Sequence, residues 1–282
     1  MSEKGILYVV ATPIGNLQDM SERALAVLRQ VAVIAAEDTR HSGKLLKHFG
    51  IQTPCVSLHE HNEQRVVPSL IDKLKQGADI ALISDAGTPL ISDPGFLLTR
   101  ACVQVDINIR SVPGPCALIA ALSISGLPAD RFIFEGFLPA KQNARLKRLE
   151  TLQAEIRTMI FYESCHRLVD SIEDMKTVFG GERSAVIVRE ITKMYEDVIR
   201  GSLIELCQMA ASGDGRFRKG EFVVLIHGHQ ENQDEKWAEA VKILSLLMDE
   251  LSVSQAAKLT SQITGVSKKR LYQYALDGRS DC

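Results

Sequence analysis

Three turns carry residue types that could hold a small molecule. They are Thr12-Pro13-Ile14-Gly15-Asn16, the stretch Ser84-Asp85-Ala86-Gly87-Thr88-Pro89-Leu90-Ile91-Ser92-Asp93-Pro94-Gly95, and Pro113-Gly114-Pro115-Cys116-Ala117. Glycine and proline at such turns let backbone N–H and C=O groups approach a ligand closely. Singly, each turn is ordinary loop punctuation. Three at the carboxyl ends of strands in one sheet predict a small-molecule pocket, because loops leaving that edge of an open parallel sheet converge on one crevice. A second set of residues could move protons. Glu37-Asp38-Thr39-Arg40 sets two carboxylates beside a guanidinium at a strand end, and Arg189-Glu190 does the same later in the chain. Both are open between acid–base chemistry and a structural ion pair. His59-Glu60-His61 would put two imidazoles on one face of a strand; with no third ligand in view, a solvated polar patch accounts for it better than a metal site. Asp93-Pro94 has the form of a helix N-cap followed by proline at the first helical position.

The elements that must position these groups alternate along the chain. Ile6-Leu7-Tyr8-Val9-Val10 is a continuous apolar run of the kind found in buried parallel strands. Asp19, three before Glu22, resembles a capping box and predicts a helix to about Gln30. Strands are expected over 31–36, 79–84 and 108–112. Helices are expected over 42–49, closed by Gly50, over 63–76, and from Asp93 to about Val103. This alternation predicts an α/β domain with a mainly parallel sheet over 1–118. A second α/β domain over 119–230 follows from β-rich runs at 158–162, 184–189 and 221–227, separated by helical stretches at 144–153 and 168–179. Within 231–282, the acidic 231–250 reads as a linker leading into an exposed helix. The remainder, with Lys258, Lys268, Lys269, Arg270 and Arg279 against Asp277 and Asp281, fits two short helices around a glycine-containing turn, a helix-turn-helix-like unit.

Composition excludes little but sets bounds. Of 282 residues, 45% are hydrophobic, so a packed core rather than disorder is expected. The formal net charge of −2 argues against a polybasic binder while leaving local basic patches open. Aromatics at 5% make a base-stacking platform a poor reading. The six cysteines, Cys55, Cys102, Cys116, Cys165, Cys207 and Cys282, are never closer than fourteen residues, so no C-x-x-C pair arises and reduced thiols in the cytosol are expected. No signal-peptide core or membrane-length apolar run is evident, which predicts a soluble cytoplasmic protein that does not engage membranes. There is no phosphate-loop motif, no G-x-G-x-x-G after a strand and no G-x-S-x-G.

An ordered set of motifs then becomes informative: Val9-Val10-Ala11-Thr12-Pro13-Ile14-Gly15-Asn16-Leu17, Ala36-Glu37-Asp38-Thr39-Arg40, the 84–95 loop, Val112-Pro113-Gly114-Pro115, Gly136-Phe137-Leu138-Pro139, Arg189-Glu190-Ile191-Thr192-Lys193 and Lys219-Gly220-Glu221-Phe222. Over roughly 5–230 the chain resembles the small-subunit ribosomal RNA methyltransferase I family, within the tetrapyrrole-methylase-like superfamily. The resemblance implies two α/β domains with S-adenosylmethionine held in a cleft between them, a homodimer, and 2′-O-methylation of a cytidine in the decoding region of small-subunit rRNA, free or in the 30S subunit. On this resemblance Pro13, Ile14, Asp85, Gly87, Thr88, Ile91, Cys116, Ala117, Tyr162 and Glu221 are the cofactor-binding candidates. Thr88 stands where many relatives carry an aspartate, and Tyr162 reads equally as a core aromatic. A ribose hydroxyl is almost un-ionised at neutral pH, so a base is needed; Glu37, Asp38 and Glu190 are the candidates, with Arg40 placed to hold a phosphate. Arg145, Arg148, Arg218, Lys219, Lys268, Lys269 and Arg270 are the candidate RNA contacts. Two alternatives stay open: a relative acting on a tetrapyrrole or other small molecule, and a ligand-sensing DNA-binding regulator using the helical tail.

Overall fold

Five short apolar runs form the first sheet: β1 (Leu7–Val10), β2 (Val33–Ala36), β3 (Cys55–Ser57), β4 (Ile80–Ile83) and β5 (Ile109–Val112). The structure, a computed structural model, describes residues 4–230 and 233–277; the N-terminal Met1-Ser2-Glu3, Glu231, Arg279, Asp281 and Cys282 lie outside the described residues. The strand order is β3-β2-β4-β1-β5, and every neighbouring pair is parallel. Parallel strands need crossovers, and helices α1 (Glu22–Gln30), α2 (Thr39–His48), α3 (Glu63–Lys75) and α4 (Phe96–Gln104) supply them. Ala35, Ile80 and Leu82 pack with Leu70, Leu74 and Leu98 of α3 and α4. Ile34, Ala81 and Ile83 pack with Leu28 and Leu46 of α1 and α2. Both faces are therefore covered, which is why the strands read as unbroken apolar runs.

The second sheet has the order β6-β7-β10-β8-β9, from β6 (Phe132–Phe137), β7 (Thr158–Ser164), β8 (Ser184–Arg189), β9 (Asp197–Ser202) and β10 (Glu221–Ile226). Only β6 and β7 run parallel; the other pairs are antiparallel. Helix α5 (Ala117–Ser125) covers one face with Leu118, Ala121 and Leu122. Helices α6 (Gln142–Glu150), α7 (Leu168–Phe179) and α8 (Leu203–Ala211) cover the other. Because α5 follows β5 in sequence yet packs on the second sheet, the chain crosses between sheets at residues 113–116.

Several local expectations need correction. Helix α1 is capped by Ser21, whose side chain accepts from Ala24 N at 3.1 Å, while Asp19 ends a separate 3-10 turn. The extended backbone of Met20 separates the two. Helix α4 starts after Gly95, at φ +120°, rather than at Asp93. His59 and His61 sit in a turn beyond β3, not on a strand, because Asn62 folds the chain back, accepting from His59 N at 2.9 Å and donating to Ser57 O at 3.1 Å. Among the described residues no group of three His, Cys, Asp or Glu could hold a metal ion.

The chain divides into two compact units, Met1–Gly228 and His229–Cys282. The second contains α9 (Gln233–Met248), α10 (Val253–Thr264) and α11 (Lys268–Asp277). The segment 231–250, expected as a linker leading into an exposed helix, is thus mostly helix, and that helix buries one face. Ala240 and Leu244, four apart, are buried against Val253, Ala257 and Leu271, a stripe that the surrounding acidic residues masked. Ser252 and Gln255 form a reciprocal capping box, and Gly265 at φ +71° closes α10.

Candidate active site

The loops leaving the carboxyl ends of β1, β4 and β5 are tied into one knot at Gly87. Thr12 and Gly87 exchange backbone hydrogen bonds of 2.9 and 3.0 Å. Thr12 Oγ1 donates to Ser84 O at 3.2 Å, and Thr88 Oγ1 donates to Pro115 O at 3.0 Å. Gly87 has φ +82°, and a Cβ there would stand 3.2 Å from Ile14 Cγ2 and 3.7 Å from Pro115 O, so only glycine suits the place where the loops meet. Beside this knot lies a cavity of about 480 Å³, bounded by the two sheets. That volume falls within the usual ~300–1,000 Å³ of small-molecule sites.

The structure brings Ile14, Thr88, Ile91, Cys116, Ala117, Tyr162 and Glu221 to the wall of this cavity. Pro13, Asp85 and Gly87 are not on the wall; Pro13 and Gly87 are buried in the loops behind it. Tyr162 is both wall and prop: its hydroxyl accepts from Leu118 N at 3.2 Å, and its ring meets Phe134 and Phe137 edge-on at 4.8 and 5.7 Å. Burial above all pushes its phenol up to about 12, so the group stays protonated at neutral pH. The sequence reading favoured a helix cap over a ligand contact for Asp93 and missed Glu163, Phe222 and Val223; all four also line the cavity. The last two follow from the β7–β10 pairing, which is long-range and has no local signal.

Asp93 is on the wall because it is not a helix cap. Gly95 makes no side-chain cap, and the first amides of α4 instead donate to Glu63 of α3: Leu97 N and Leu98 N lie 2.8 and 3.1 Å from Glu63 Oε1. The Pro94-Gly95 pair was the available clue, being itself a turn signal. Burial, then the adjacent Glu37 carboxylate, push Asp93 up to about 6, with Asp85 adding and a hydrogen bond from Ser84 opposing. Glu37 is itself raised, chiefly by burial, and its Oε2 accepts from Asp85 N at 3.3 Å.

The other acid–base candidates are engaged elsewhere. Asp38 is the N-cap of α2, accepting from Arg40 N at 2.8 Å, and pairs with the Arg40 guanidinium at 3.1 Å. That hydrogen-bonded pairing holds Asp38 down to about 2, which makes it a poor base, and neither residue lines the cavity. Glu190, at φ +49°, accepts from Glu221 N at 2.9 Å and pairs with Lys193 at 2.9 Å. Burial raises Glu190, but the Lys193 and Glu221 hydrogen bonds bring it below its ordinary value. Lys193 also pairs with Glu221 at 2.7 Å, making the three a bridge at the cavity's rim.

Among the candidate RNA contacts, Arg145 is overturned. Its side chain is 4% exposed and its Nε lies 2.7 Å from Asp174 Oδ2, so it offers no charge to solvent. Arg148 pairs with Glu135. Arg218 and Lys219 lie in the loop before β10, with Lys219 O accepting from Arg189 Nε at 2.7 Å. Lys268, Lys269 and Arg270 are exposed on the first turn of α11, and the Arg270 guanidinium lies 4.2 Å from the Trp237 ring centroid. No helix among the described residues is long and apolar enough to cross a membrane.

Comparison with known proteins agrees with this geometry. The family model of Tetrapyrrole (Corrin/Porphyrin) Methylases matches residues 6–207, and that of the RsmI C-terminal HTH domain matches residues 234–279. The chain is 56% identical over 274 residues to the ribosomal RNA small subunit methyltransferase I of Pseudomonas aeruginosa, covering 96% of this chain and 97% of that one. It is 50% identical over 276 residues to the protein of the same name from Escherichia coli O157:H7, covering 98% and 96%. Among solved structures, diphthine synthase superposes with a TM-score of 0.59 at 15% identity, covering 82% of this chain and 92% of that one. A uroporphyrin-III C-methyltransferase from Thermus thermophilus, complexed with S-adenosyl homocysteine, superposes with a TM-score of 0.52 at 15% identity, covering 78% and 96%. With both sheets, the knotted loops and the C-terminal helices accounted for, the chain belongs to the ribosomal RNA small subunit methyltransferase I family of the tetrapyrrole methylases.

Proposed function

We propose that this chain methylates small-subunit ribosomal RNA, moving a methyl group from S-adenosylmethionine to the 2′-hydroxyl of a cytidine ribose in the decoding region. The observation that carries the reading is the 56% identity to a ribosomal RNA small subunit methyltransferase I over 96% of the chain. The cavity fits the methyl donor. Its apolar wall of Ile14, Ile91, Ala117, Tyr162 and Val223 would take the nucleoside, and the acidic side at Asp93 suits a cationic sulfonium. A Cβ at Gly87 would stand 3.2 Å from Ile14 Cγ2, so a side chain there would press on a residue of the cavity wall. When bound, the cofactor supplies an electrophilic methyl carbon on sulfur. The residues of this chain would hold it, exclude water and align the hydroxyl, a contribution of up to ~7–11 kcal/mol in favourable intramolecular cases.

Arg218, Lys219, Lys268 and Lys269 are the exposed cations that would meet RNA phosphates, and a homodimer acting in the cytoplasm completes the reading. The test offers labelled S-adenosylmethionine with small ribosomal subunits, naked rRNA, duplex DNA and a uroporphyrinogen. Label in rRNA at a phosphodiester that resists alkaline cleavage is expected, since a 2′-O-methyl group blocks that cleavage. Label only in the tetrapyrrole, or in none of the four, would refute the proposal; sedimentation of the same preparation reads the dimer.

A further inference from the structure

The C-terminal helical unit holds an open groove of about 490 Å³ between α9 and α11. Trp237 of α9 lines it together with Lys269, Arg270, Gln273, Tyr274 and Asp277 of α11. Arg270, Gln273, Tyr274 and Asp277 follow one another at helical spacing, so they share one stripe of α11. The neighbouring stripe, Leu271 and Ala275, enters the core of the unit. The aromatic wall is held in place: the Trp237 and Tyr274 rings meet edge-on at 5.4 Å, and the Arg270 guanidinium lies 4.2 Å from the Trp237 centroid. These contacts still leave Tyr274 46% exposed. Trp237 is the only tryptophan of the chain, and Tyr272 and Tyr274 are two of its five tyrosines, so scarce aromatics are gathered here. Charge is gathered too. Residues 252–277 carry Lys258, Lys268, Lys269 and Arg270 against Asp277 alone, and Asp277 already accepts from Gln273 Nε2 at 2.9 Å. Among the described residues no carboxylate pairs with Lys268, Lys269 or Arg270.

We propose that this groove seats an unpaired nucleotide of RNA, with its base against the Trp237–Tyr274 wall and its flanking phosphates on Lys268 and Lys269. The proposal rests on the reading of rRNA as the substrate. A helix-turn-helix reads duplex DNA by laying its second helix in the major groove. The major groove of an RNA duplex is too deep and narrow for side chains to read. Sequence reading of RNA therefore falls on unpaired bases, which stack on aromatic rings and arginine planes. Helix α11 carries that second combination, with cations on its first turn and an aromatic pair formed one turn later. Arg270 braces Trp237, which leaves Lys268 and Lys269 for the phosphates. An aromatic wall beside unpaired cations fits a polyanion that also offers flat apolar faces, and a single nucleic-acid strand is such a polyanion.

Trp237 reports on the groove by itself, because no other tryptophan contributes to the emission. The full chain is titrated with an unpaired oligoribonucleotide of mixed sequence, then with duplex RNA and duplex DNA of the same length. The unpaired strand should quench Trp237 saturably, well below the concentrations at which either duplex does. Tyr274→Ala should weaken that binding ~5–150-fold, the worth of one stacked base, and Tyr274→Phe, which keeps the ring, should bind as the unaltered chain does. Tyr274→Ala should also raise KM for small subunits while S-adenosylhomocysteine binding is unchanged. Lys268→Gln/Lys269→Gln alters two exposed side chains without touching the core, so it carries the test even if Tyr274→Ala melts early. It should weaken binding and lower the salt slope by about 1.4. Quenching by a duplex as strong as by the unpaired strand would overturn the proposal, and so would emission that changes with protein concentration alone, the sign of a second copy on this face. Unaltered binding by folded Tyr274→Ala, or by the double variant, would overturn it as well. Methyl transfer to rRNA without quenching keeps the proposed function and removes this site; quenching without transfer does the reverse.

Discussion

Arg145→Ala separates a structural cation from an RNA contact, and its cost can be worked from the structure. The Arg145 side chain is 4% exposed and that of Asp174 is 6% exposed, with Nε and Oδ2 2.7 Å apart. Arg145 also donates to Ala140 O at 3.3 Å, and Gln142 Nε2 donates to the other Asp174 oxygen at 3.0 Å. Removing the arginine leaves a carboxylate out of water with one neutral hydrogen bond. Breaking one side of a buried pair costs ~3–5 kcal/mol, and the remaining Gln142 bond argues for the lower half of that range. Loss of an exposed cation costs ~0–1 kcal/mol. Against a total stability of ~5–15 kcal/mol, the first outcome is a large fall in the urea midpoint and the second is almost none. The assay is equilibrium urea unfolding by circular dichroism, with Arg145→Met/Asp174→Leu as partner, since replacing both charges by apolar groups is near neutral. An unchanged midpoint for Arg145→Ala together with weaker, less salt-sensitive binding to small subunits would refute the structural assignment.

Gly95→Ala should be destabilising by ~1–3 kcal/mol, because φ is +120° and the new Cβ would lie 2.6 Å from Leu82 Cδ2 in the core; a melting shift measures it, and S-adenosylhomocysteine binding should weaken with it as the Asp93 turn is displaced. With Arg145, Arg148 and Arg270 engaged by other groups, four of the proposed phosphate contacts remain, so log K for single-stranded rRNA should fall against log salt with a slope of about −3. A slope near zero in a salt titration would remove all four from the interface.

Where the determining contacts are local, the sequence was readable. The unbroken run at β1, buried on both faces, announced a parallel strand, and Ser252 and Gly265 marked the ends of α10 because capping chemistry acts within one turn. Three glycine- and proline-bearing turns implied a ligand edge, and Ile14, Thr88 and Cys116 do meet at one cavity. What escaped depends on residues far apart in sequence. Arg145 looks like a member of a basic cluster until Asp174 is brought beneath it. The 231–250 segment looks like a linker because its charges outnumber the few apolar residues that α10 and α11 bury. Ser21 was overlooked for Asp19 for a different reason: both residue types cap well, and only the extended Met20 between them decides.

The error over Asp93 points to a feature shared by the two helices that begin at the cavity. Neither Gly95 before α4 nor Cys116 before α5 makes a side-chain cap. Their leading amides are satisfied from a distance, those of Leu97 and Leu98 by Glu63 and that of Leu118 by Tyr162. At α2, away from the cavity wall, the local residue Asp38 does the capping and is thereby held by its own helix. An aspartate that caps a helix is ionised, hydrogen-bonded and weakly basic. Transferring the cap to a buried glutamate on α3 leaves Asp93 free to line the cavity wall, and transferring it to a tyrosine on β7 leaves Cys116 on the same wall while tying the second sheet to the crossing. The local rule that an aspartate before a proline opens a helix fails at the cavity because the fold supplies both caps from other elements.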